Sequence, residues 1–370
     1  MAGSLITNYL AQGTAAARPA SPTAATGTLS FYFASDTETL SIYDWNDGAW
    51  QTLISGGVTS DVTMPQGRLT LTTAVPVLTA SVTGATTIYY ALYNGAYVPI
   101  WNGATTDMTL ITELSQATTD NTKSPAAVAN NSNYDMFVWN DGGTKRCTRG
   151  PLWTSDTGRG SGAGTTQITR NTDGYYTNTV AITNGPGAGL GTYVGTVRSN
   201  GTASIDMIFG GTGAAGGEAC NLGVWNMYNR VDTPLVNFDN TDTWNYTTAT
   251  FRVKNGNSAN RISLIVGLSE DTLSARNSAI ARNSTANITK IIGIGLDSET
   301  VLATGSSSGI GRDGGSGTYW NFVAHYTVRA PLGFHYIAPL ELSGATGTTT
   351  WSGDNGDADT WTSFQASIRA

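Results

Sequence analysis

The sequence predicts an all-β protein, and three observations carry that reading. Threonine accounts for 58 of the 370 residues and glycine for 45. Charged residues are only 12%, with four Lys against 15 Arg. Short runs of alternating apolar and polar residues recur, bounded by Asn-Gly or Asn-Asp-Gly. Threonine and aromatic residues suit half-buried pleated strands, whereas Gly and Asn supply the turns between them. The expected architecture is a small N-terminal β-hairpin module, then hairpins, then a jelly-roll-like β-sandwich.

Residues 1–17 are low in complexity and without period, and read as an N-terminal arm. A module over 18–53 follows. It opens with Arg18-Pro19-Ala20-Ser21-Pro22 and continues as TGTLSFYFASDTETLSIYDWNDGAW. Leu29, Phe31 and Phe33 alternate on one face, and Leu40 and Ile42 resume after the turn at Asp36-Thr37. Trp45 and Trp50 close the piece around Asn46-Asp47-Gly48. So small a β module cannot bury enough surface to stand alone. Residues 54–87, rich in Thr, Val, Ser and Gly, read as a linker with short strands.

The region 88–164 is rich in hairpins. The pattern Trp45-Asn46-Asp47-Gly48 returns as Trp101-Asn102-Gly103 and as Trp139-Asn140-Asp141-Gly142. Asn-Gly and Asn-Asp-Gly accept the positive φ of tight hairpin turns. The unequal spacings, 56 and 38 residues, argue for repeated hairpins rather than a solenoid. From 165 to 370 the strand runs lengthen into a sandwich body. Strands are expected at Thr179–Thr183, Thr192–Arg198, Ser204–Phe209, Leu222–Tyr228, Thr247–Lys254, Arg261–Leu268, Ile288–Leu296, Tyr319–Val328, Phe334–Leu342 and Thr360–Ile368. Two stretches carry a weak helical period, Leu110–Gln116 and Glu270–Ala281.

Several functions are disfavoured. A net charge of −7 and a pI near 4.8 argue against nucleic acid, because phosphate neutralisation needs clustered cations. The cluster Lys145, Arg146 and Arg149 reads as a solvated hairpin face. No apolar run approaches the ~18 residues of a membrane span, and the N-terminal stretch lacks the features of a secretory signal. Cys147 and Cys220 have no metal or disulfide-framework spacing. His325 and His335 read as structural residues on strands, and no HExxH or G-x-S-x-G motif occurs. The match of Gly211–Gly216 to G-x-G-x-x-G lacks a following helix and reads as a loop. No cofactor is expected.

Two groups keep a binding reading. Trp351 and Trp361 flank an acidic stretch and are candidate glycan contacts, since aromatic rings stack on sugars. Asp354, Asp357 and Asp359 between them form a weak Ca²⁺ candidate, against the plainer reading of a solvated turn. A remote pair of carboxylates could still serve glycoside hydrolysis.

The segment AAARPASPTAATGTLSFYFASDTETLSIYDWNDGAW resembles a short module of tailed-bacteriophage virion proteins. Its small-residue and Pro lead, Gly-x-Leu-x-x-x-x-Ala-x-Asp-Thr, and aromatic-Gly-x-Trp closing hairpin carry the resemblance. YDMFVWNDGGTKRCTRGPLW and the run through about residue 268 are similar to the body of phage structural proteins. The resemblance implies a virion structural protein, non-enzymatic, of tail-fibre or capsid-decoration type. Arg18, Pro19, Pro22, Leu29, Phe31, Phe33, Asp36, Trp45 and Trp50 would form its attachment module. It further implies self-association, with a homotrimer expected, other virion proteins as partners, host glycan as an outer ligand, and a location on the virion. The alternatives are a head fibre, a tailspike-like glycan depolymerase, and a stand-alone carbohydrate-binding module.

Overall fold

The computed structural model describes residues 10–20, 30–35, 39–44, 46–54, 62–162, 164–211, 213–312 and 314–370. The chain divides into two compact units, Met1–Val62 and Thr63–Ala370. Both are built from β-strands. Among the described residues the only helical pieces are three-residue 3₁₀ turns.

The first unit is a four-stranded sheet of β1 (Leu10–Gly13), β2 (Phe31–Ala34), β3 (Thr39–Asp44) and β4 (Ala49–Ile54), in that order. β1 pairs parallel to β2, and the rest is an antiparallel meander. The arm without period thus supplies an edge strand. The buried face differs from the expected one. Tyr32, Ala34, Ser41 and Tyr43 are buried, while Phe31, Phe33, Leu40 and Ile42 on the other face are half-buried. The reason is local and polar: the chain folds back over the tyrosine face. Tyr32 donates its hydroxyl to the Thr14 carbonyl at 2.9 Å, Trp50 Nε1 donates to the Pro19 carbonyl at 2.8 Å, and Arg18 reaches Ser41 Oγ at 3.1 Å.

The second unit begins with β5 (Gly67–Thr70), β6 (Val82–Ala85), β7 (Thr87–Leu92), β8 (Tyr97–Trp101), β9 (Thr106–Leu110) and β10 (Leu114–Ala117). The long hairpin β11 (Asn133–Asp141) and β12 (Thr144–Leu152) comes next. Then follow β13 (Ile168–Arg170), β14 (Tyr176–Asn178), β15 (Thr192–Arg198), β16 (Ile205–Ile208), β17 (Cys220–Leu222), β18 (Val224–Asn226), β19 (Asp232–Asn237) and β20 (Thr243–Tyr246). The last are β21 (Arg252–Val253), β22 (Ile262–Val266), β23 (Thr272–Asn283), β24 (Thr289–Leu296), β25 (Gly309–Arg312), β26 (Trp320–Arg329), β27 (Gly333–Ser343), β28 (Thr349–Ser352) and β29 (Ser363–Arg369).

An eight-stranded sheet runs β25-β24-β27-β22-β17-β16-β6, with β21 beside β27. It faces a six-stranded sheet, β19-β29-β23-β28-β20, with β26 on the other side of β23. Ile292 of the first packs among Ala279, Ala281, Phe322 and Trp351 of the second, which makes this pair a β-sandwich. A second six-stranded sheet, β12-β11-β15-β14-β13 with β18, shares the large core that holds Phe137, Trp225, Ile262, Leu264 and Ile265. The three-stranded β10-β7-β5 and the hairpin β8–β9 complete the unit.

All three Trp-Asn turns lie at hairpin ends, joining β3 to β4, β8 to β9 and β11 to β12. Gly48, Gly103 and Gly142 there have φ of 63°, 104° and 57°. Other expectations are corrected. Residues 54–87 do not form a separate linker: the division falls after Val62, and β5 and β6 belong to body sheets. Glu270–Ala281 is not helical but contains most of the longest strand, β23, with a strict in–out burial alternation. Leu110–Gln116 spans the end of β9 and the start of β10 instead of a helix. Thr179–Thr183 is a loop wound around Asn178, whose amide donates to the carbonyls of Val180 and Gly187 at 2.8 Å each. Only Arg252–Val253 of Thr247–Lys254 is strand, because the Tyr246 hydroxyl closes a tight loop onto the Thr250 carbonyl at 2.8 Å.

Arg149 is also not part of a solvated face. It is buried, and its guanidinium donates to the carbonyls of Ala117 and Ala126 at 2.9 Å each and to that of Asp120. Strand β19 ends its sheet and carries a proline on the side away from β29, where Val236 N–H donates to the Phe209 carbonyl at 2.9 Å. Val231 and Ala370 exchange both backbone hydrogen bonds, so alternate residues from 231 face β29 and the position of Pro234 faces outward. Its missing N–H therefore falls where another strand would need a donor.

Asp135 on β11 is fully buried and fixes the body's centre. It takes two hydrogen bonds from Arg159 (2.7 and 2.9 Å), one from Trp153 Nε1 (3.1 Å) and one from Thr196 Oγ1 (2.7 Å). Replacing it by alanine leaves the Arg159 charge buried without its partner. Asp135→Ala is expected to lower unfolding free energy by about 3–5 kcal/mol, read as a fall in the urea midpoint.

Candidate functional site

In the N-terminal unit, three aromatic rings hold the sheet to the segment that covers it. Trp50 lies edge-on to Tyr43 at 5.3 Å and to Tyr32 at 6.0 Å between ring centroids. Such pairs contribute about 0.5–1.5 kcal/mol each beyond their buried area. Of the attachment residues named from the sequence, Arg18, Pro19 and Trp50 come together here. Phe31 and Phe33 lie on the opposite, half-buried face. Pro22, Leu29, Asp36 and Trp45 lie outside the described residues. Sequence reasoning misses Tyr32 and Tyr43, although their alternation with Phe31, Phe33 and Ile42 marks them as the other face of the same hairpin.

The two tryptophans expected to contact glycan have different environments. Trp351 is 0% exposed, paired across strands with Trp244 and packed against Phe322 at 6.0 Å, so it is a core residue and not a surface contact. Trp361 is half-buried, beside the exposed Tyr319 at 5.8 Å and 78°. The Arg282 guanidinium lies over the Tyr319 ring, 4.9 Å from its centroid. The Tyr319 hydroxyl reaches Asn355 Oδ1 at 3.4 Å. This joins an aromatic ledge to the acidic loop. Tyr319 escapes sequence reasoning because it precedes a strand whose alternation draws attention to Phe322, Ala324 and Tyr326.

The acidic loop is tied at its base by Trp361 N–H donating to the Gly353 carbonyl at 2.7 Å. Asp354 accepts the Gly356 amide at 2.9 Å, while Asp357 and Asp359 are exposed. Among the described residues no three His, Cys, Asp or Glu side chains are grouped to hold a metal. His335 is buried between Asp297 Oδ2 (2.7 Å) and the Leu332 carbonyl (3.0 Å), and His325 lies on the exposed side of β26. Cys147 and Cys220 are free and buried.

The interior acids are engaged by hydrogen bonds. Asp239 accepts the amides of Gly216 (2.8 Å) and Thr241 (3.0 Å) and the side chains of Asn255 and Asn260 (3.0 Å each). Burial alone would raise its pKa, but these hydrogen bonds outweigh it and hold the carboxyl below its ordinary range. Glu341 accepts Trp244 Nε1 at 2.9 Å and Arg252 Nε at 2.8 Å, and burial pushes its pKa up to about 7. A cavity of about 370 Å³ is lined by Arg68, Leu78, Met207, Phe209 and Val224, with Asp232 as the side-chain carboxylate in its wall. Paired acid–base chemistry on a glycoside needs two carboxylic side chains about 5–10 Å apart, and that wall carries one.

No family model matches the chain, and no curated protein matches it. Among solved structures, one of infectious bursal disease virus (Gt strain) is 12% identical, with 74% of this chain and 67% of that chain covered and a TM-score of 0.20. The T13 viral particle of the same virus is 10% identical, covering 92% and 66%, with a TM-score of 0.21. An exo-β-1,3-galactanase from Phanerochaete chrysosporium with β-1,3-galactotriose is 10% identical, covering 92% and 65%, at 0.15. The chain spans about two thirds of the length of each. TM-scores this low define no common fold and carry no functional reading.

The Asp239 hydrogen bonds give a pH dependence. A carboxyl depressed on folding adds stability above its unfolded pKa and loses it as pH falls through the folded one. Stability should therefore decline below about pH 4, and Asp239→Asn should make that decline shallower in thermal melts followed across the acid range.

Proposed function

We propose that the chain is a non-enzymatic structural protein of a tailed-bacteriophage virion, attached through its N-terminal unit and presenting the β body outward. The observation that carries this reading is the separate first unit. Among the described residues its packed face holds Ser30, Tyr32, Ala34, Ser41, Tyr43 and Trp50, a small apolar set. A unit of that kind gains its stability by docking, which suits an adaptor. The sequence resemblance over about residues 15–52 points the same way. Self-association as a homotrimer would cover open sheet edges and multiply weak outer contacts. A tail-associated fibre is the reading favoured, with capsid decoration as the alternative.

The ledge of Tyr319 and Trp361 supports a further element of this reading, weak contact with host-surface glycan. A ring face beside Arg and Asn side chains offers both stacking and hydrogen bonds to sugar hydroxyls.

Immunogold labelling of purified virions with antibody to residues 165–370 tests the proposal. Gold on the tail, with blocked adsorption, is the expected result. Gold over the head would select decoration, and unlabelled virions would overturn the virion reading. Trp50→Ala in the full chain is expected to reduce incorporation into particles about tenfold, the effect of ~1.4 kcal/mol of lost docking energy. Quantitative blotting of purified virions reads that loss, while the body retains its circular dichroism.

A further inference from the structure

Three buried polar side chains, Lys254, Asn277 and Glu341, line the inside of the sandwich, and none hydrogen-bonds another. Lys254 follows β21 directly and is 2% exposed, yet its Nζ makes one long hydrogen bond, 3.5 Å, to the Ser278 carbonyl of the facing sheet. Ser278 is the neighbour of Asn277 on β23. Asn277 is fully buried, and its Nδ2 donates to the carbonyls of Gly293 (3.0 Å) and Leu340 (3.4 Å), while its Oδ1 has no partner. Leu340 in turn precedes Glu341 and pairs across strands with Val253, the residue before Lys254. Lys254 touches the neighbour of Asn277, Asn277 touches the neighbour of Glu341, and Val253 and Leu340, which adjoin Lys254 and Glu341, are paired across strands. Asn277 faces inward in step with Ala279, Glu341 pairs across strands with Ile292, which packs on Ala279, and Lys254 Nζ reaches Ser278 beside Asn277, so amine, carboxamide and carboxylate face the same interior.

We propose that Lys254 and Asn277 are joined by an isopeptide bond that crosses the sandwich, with Glu341 carrying the proton. Lys254 Nζ attacks Asn277 Cγ as the neutral amine. The Nζ–Cγ bond forms and the Cγ–Nδ2 bond breaks. One proton passes from Nζ through the Glu341 carboxylate to the departing nitrogen, and ammonia leaves. Nothing is oxidised or reduced, and no co-reactant is needed.

The environment favours each part. Burial lowers the Lys254 pKa to about 8, which supplies neutral amine near neutrality, although Glu341 and Asp239 oppose the shift. Ionised Glu341, held by Arg252 and Trp244, is a proton acceptor shielded from water. The product would tie the eight-stranded sheet to the six-stranded sheet in a body whose two cysteines are unpaired. This inference is independent of the virion reading, and either can fail alone.

Intact-mass spectrometry of the denatured full chain, followed by peptide mapping, is the test. The expected mass is about 17 Da below that of the sequence, with Lys254 and Asn277 recovered in one branched peptide. Lys254→Arg should restore the full mass, and Asn277→Asp should close with loss of about 18 Da, as water. A chain of full mass, with Lys254 and Asn277 in separate unmodified peptides, would overturn the proposal. So would a loss of about 17 Da mapped to a succinimide at an Asn-Gly step without branching. A Glu341→Gln chain that still branches completely would overturn the proton path through Glu341.

Discussion

The buried Asp135–Arg159 pair ties together segments of the body that lie far apart in the sequence. Arg159 comes from the segment after β12, Asp135 from β11 and Thr196 from β15, and the guanidinium also donates to the Gly267 carbonyl at 2.8 Å, just beyond β22. Arg159 lies 4.3 Å from the Trp153 ring centroid and 5.6 Å from that of Tyr193. Four chain segments distant in sequence thus converge on two charges. An ion pair so dry is costly to bury and costly to break. Its value lies in fixing which segments meet, since an apolar contact at the same place would allow several registers.

The sandwich interior follows a related logic nearer the C-terminus. β23 turns Leu273, Ala275, Asn277, Ala279, Ala281 and Asn283 inward, a row of mostly small side chains. Small residues on one sheet leave room for Lys254, Glu341 and Trp244 from other strands, so the core there is polar and hydrogen-bonded rather than filled by branched aliphatics. The two sheets consequently share specific donors and acceptors, not only apolar area.

How much of this is legible in the sequence depends on whether the cause is local. The Trp-Asn-Gly hairpins are legible, because a tight turn is specified by the residues that make it. β26 is legible through the alternation of Phe322, Ala324 and Tyr326. β23 is not, since Ala and Asn facing inward leave no hydrophobic period to read. The burial of Arg149 depends on carbonyls some 23 to 32 positions away, and that of Trp351 on its pairing with Trp244, so neither leaves a local mark. At the candidate site, the sequence offers Trp361, but its neighbour Tyr319, and Arg282 over the Tyr319 ring, come from segments that only the fold brings together.

Pro234 has a consequence for crowding. An open strand edge is a template for another chain, the more so as local concentration rises. A residue that cannot donate, two positions from one already bonded to the chain's own Phe209, leaves that margin of the sheet little with which to pair a foreign strand.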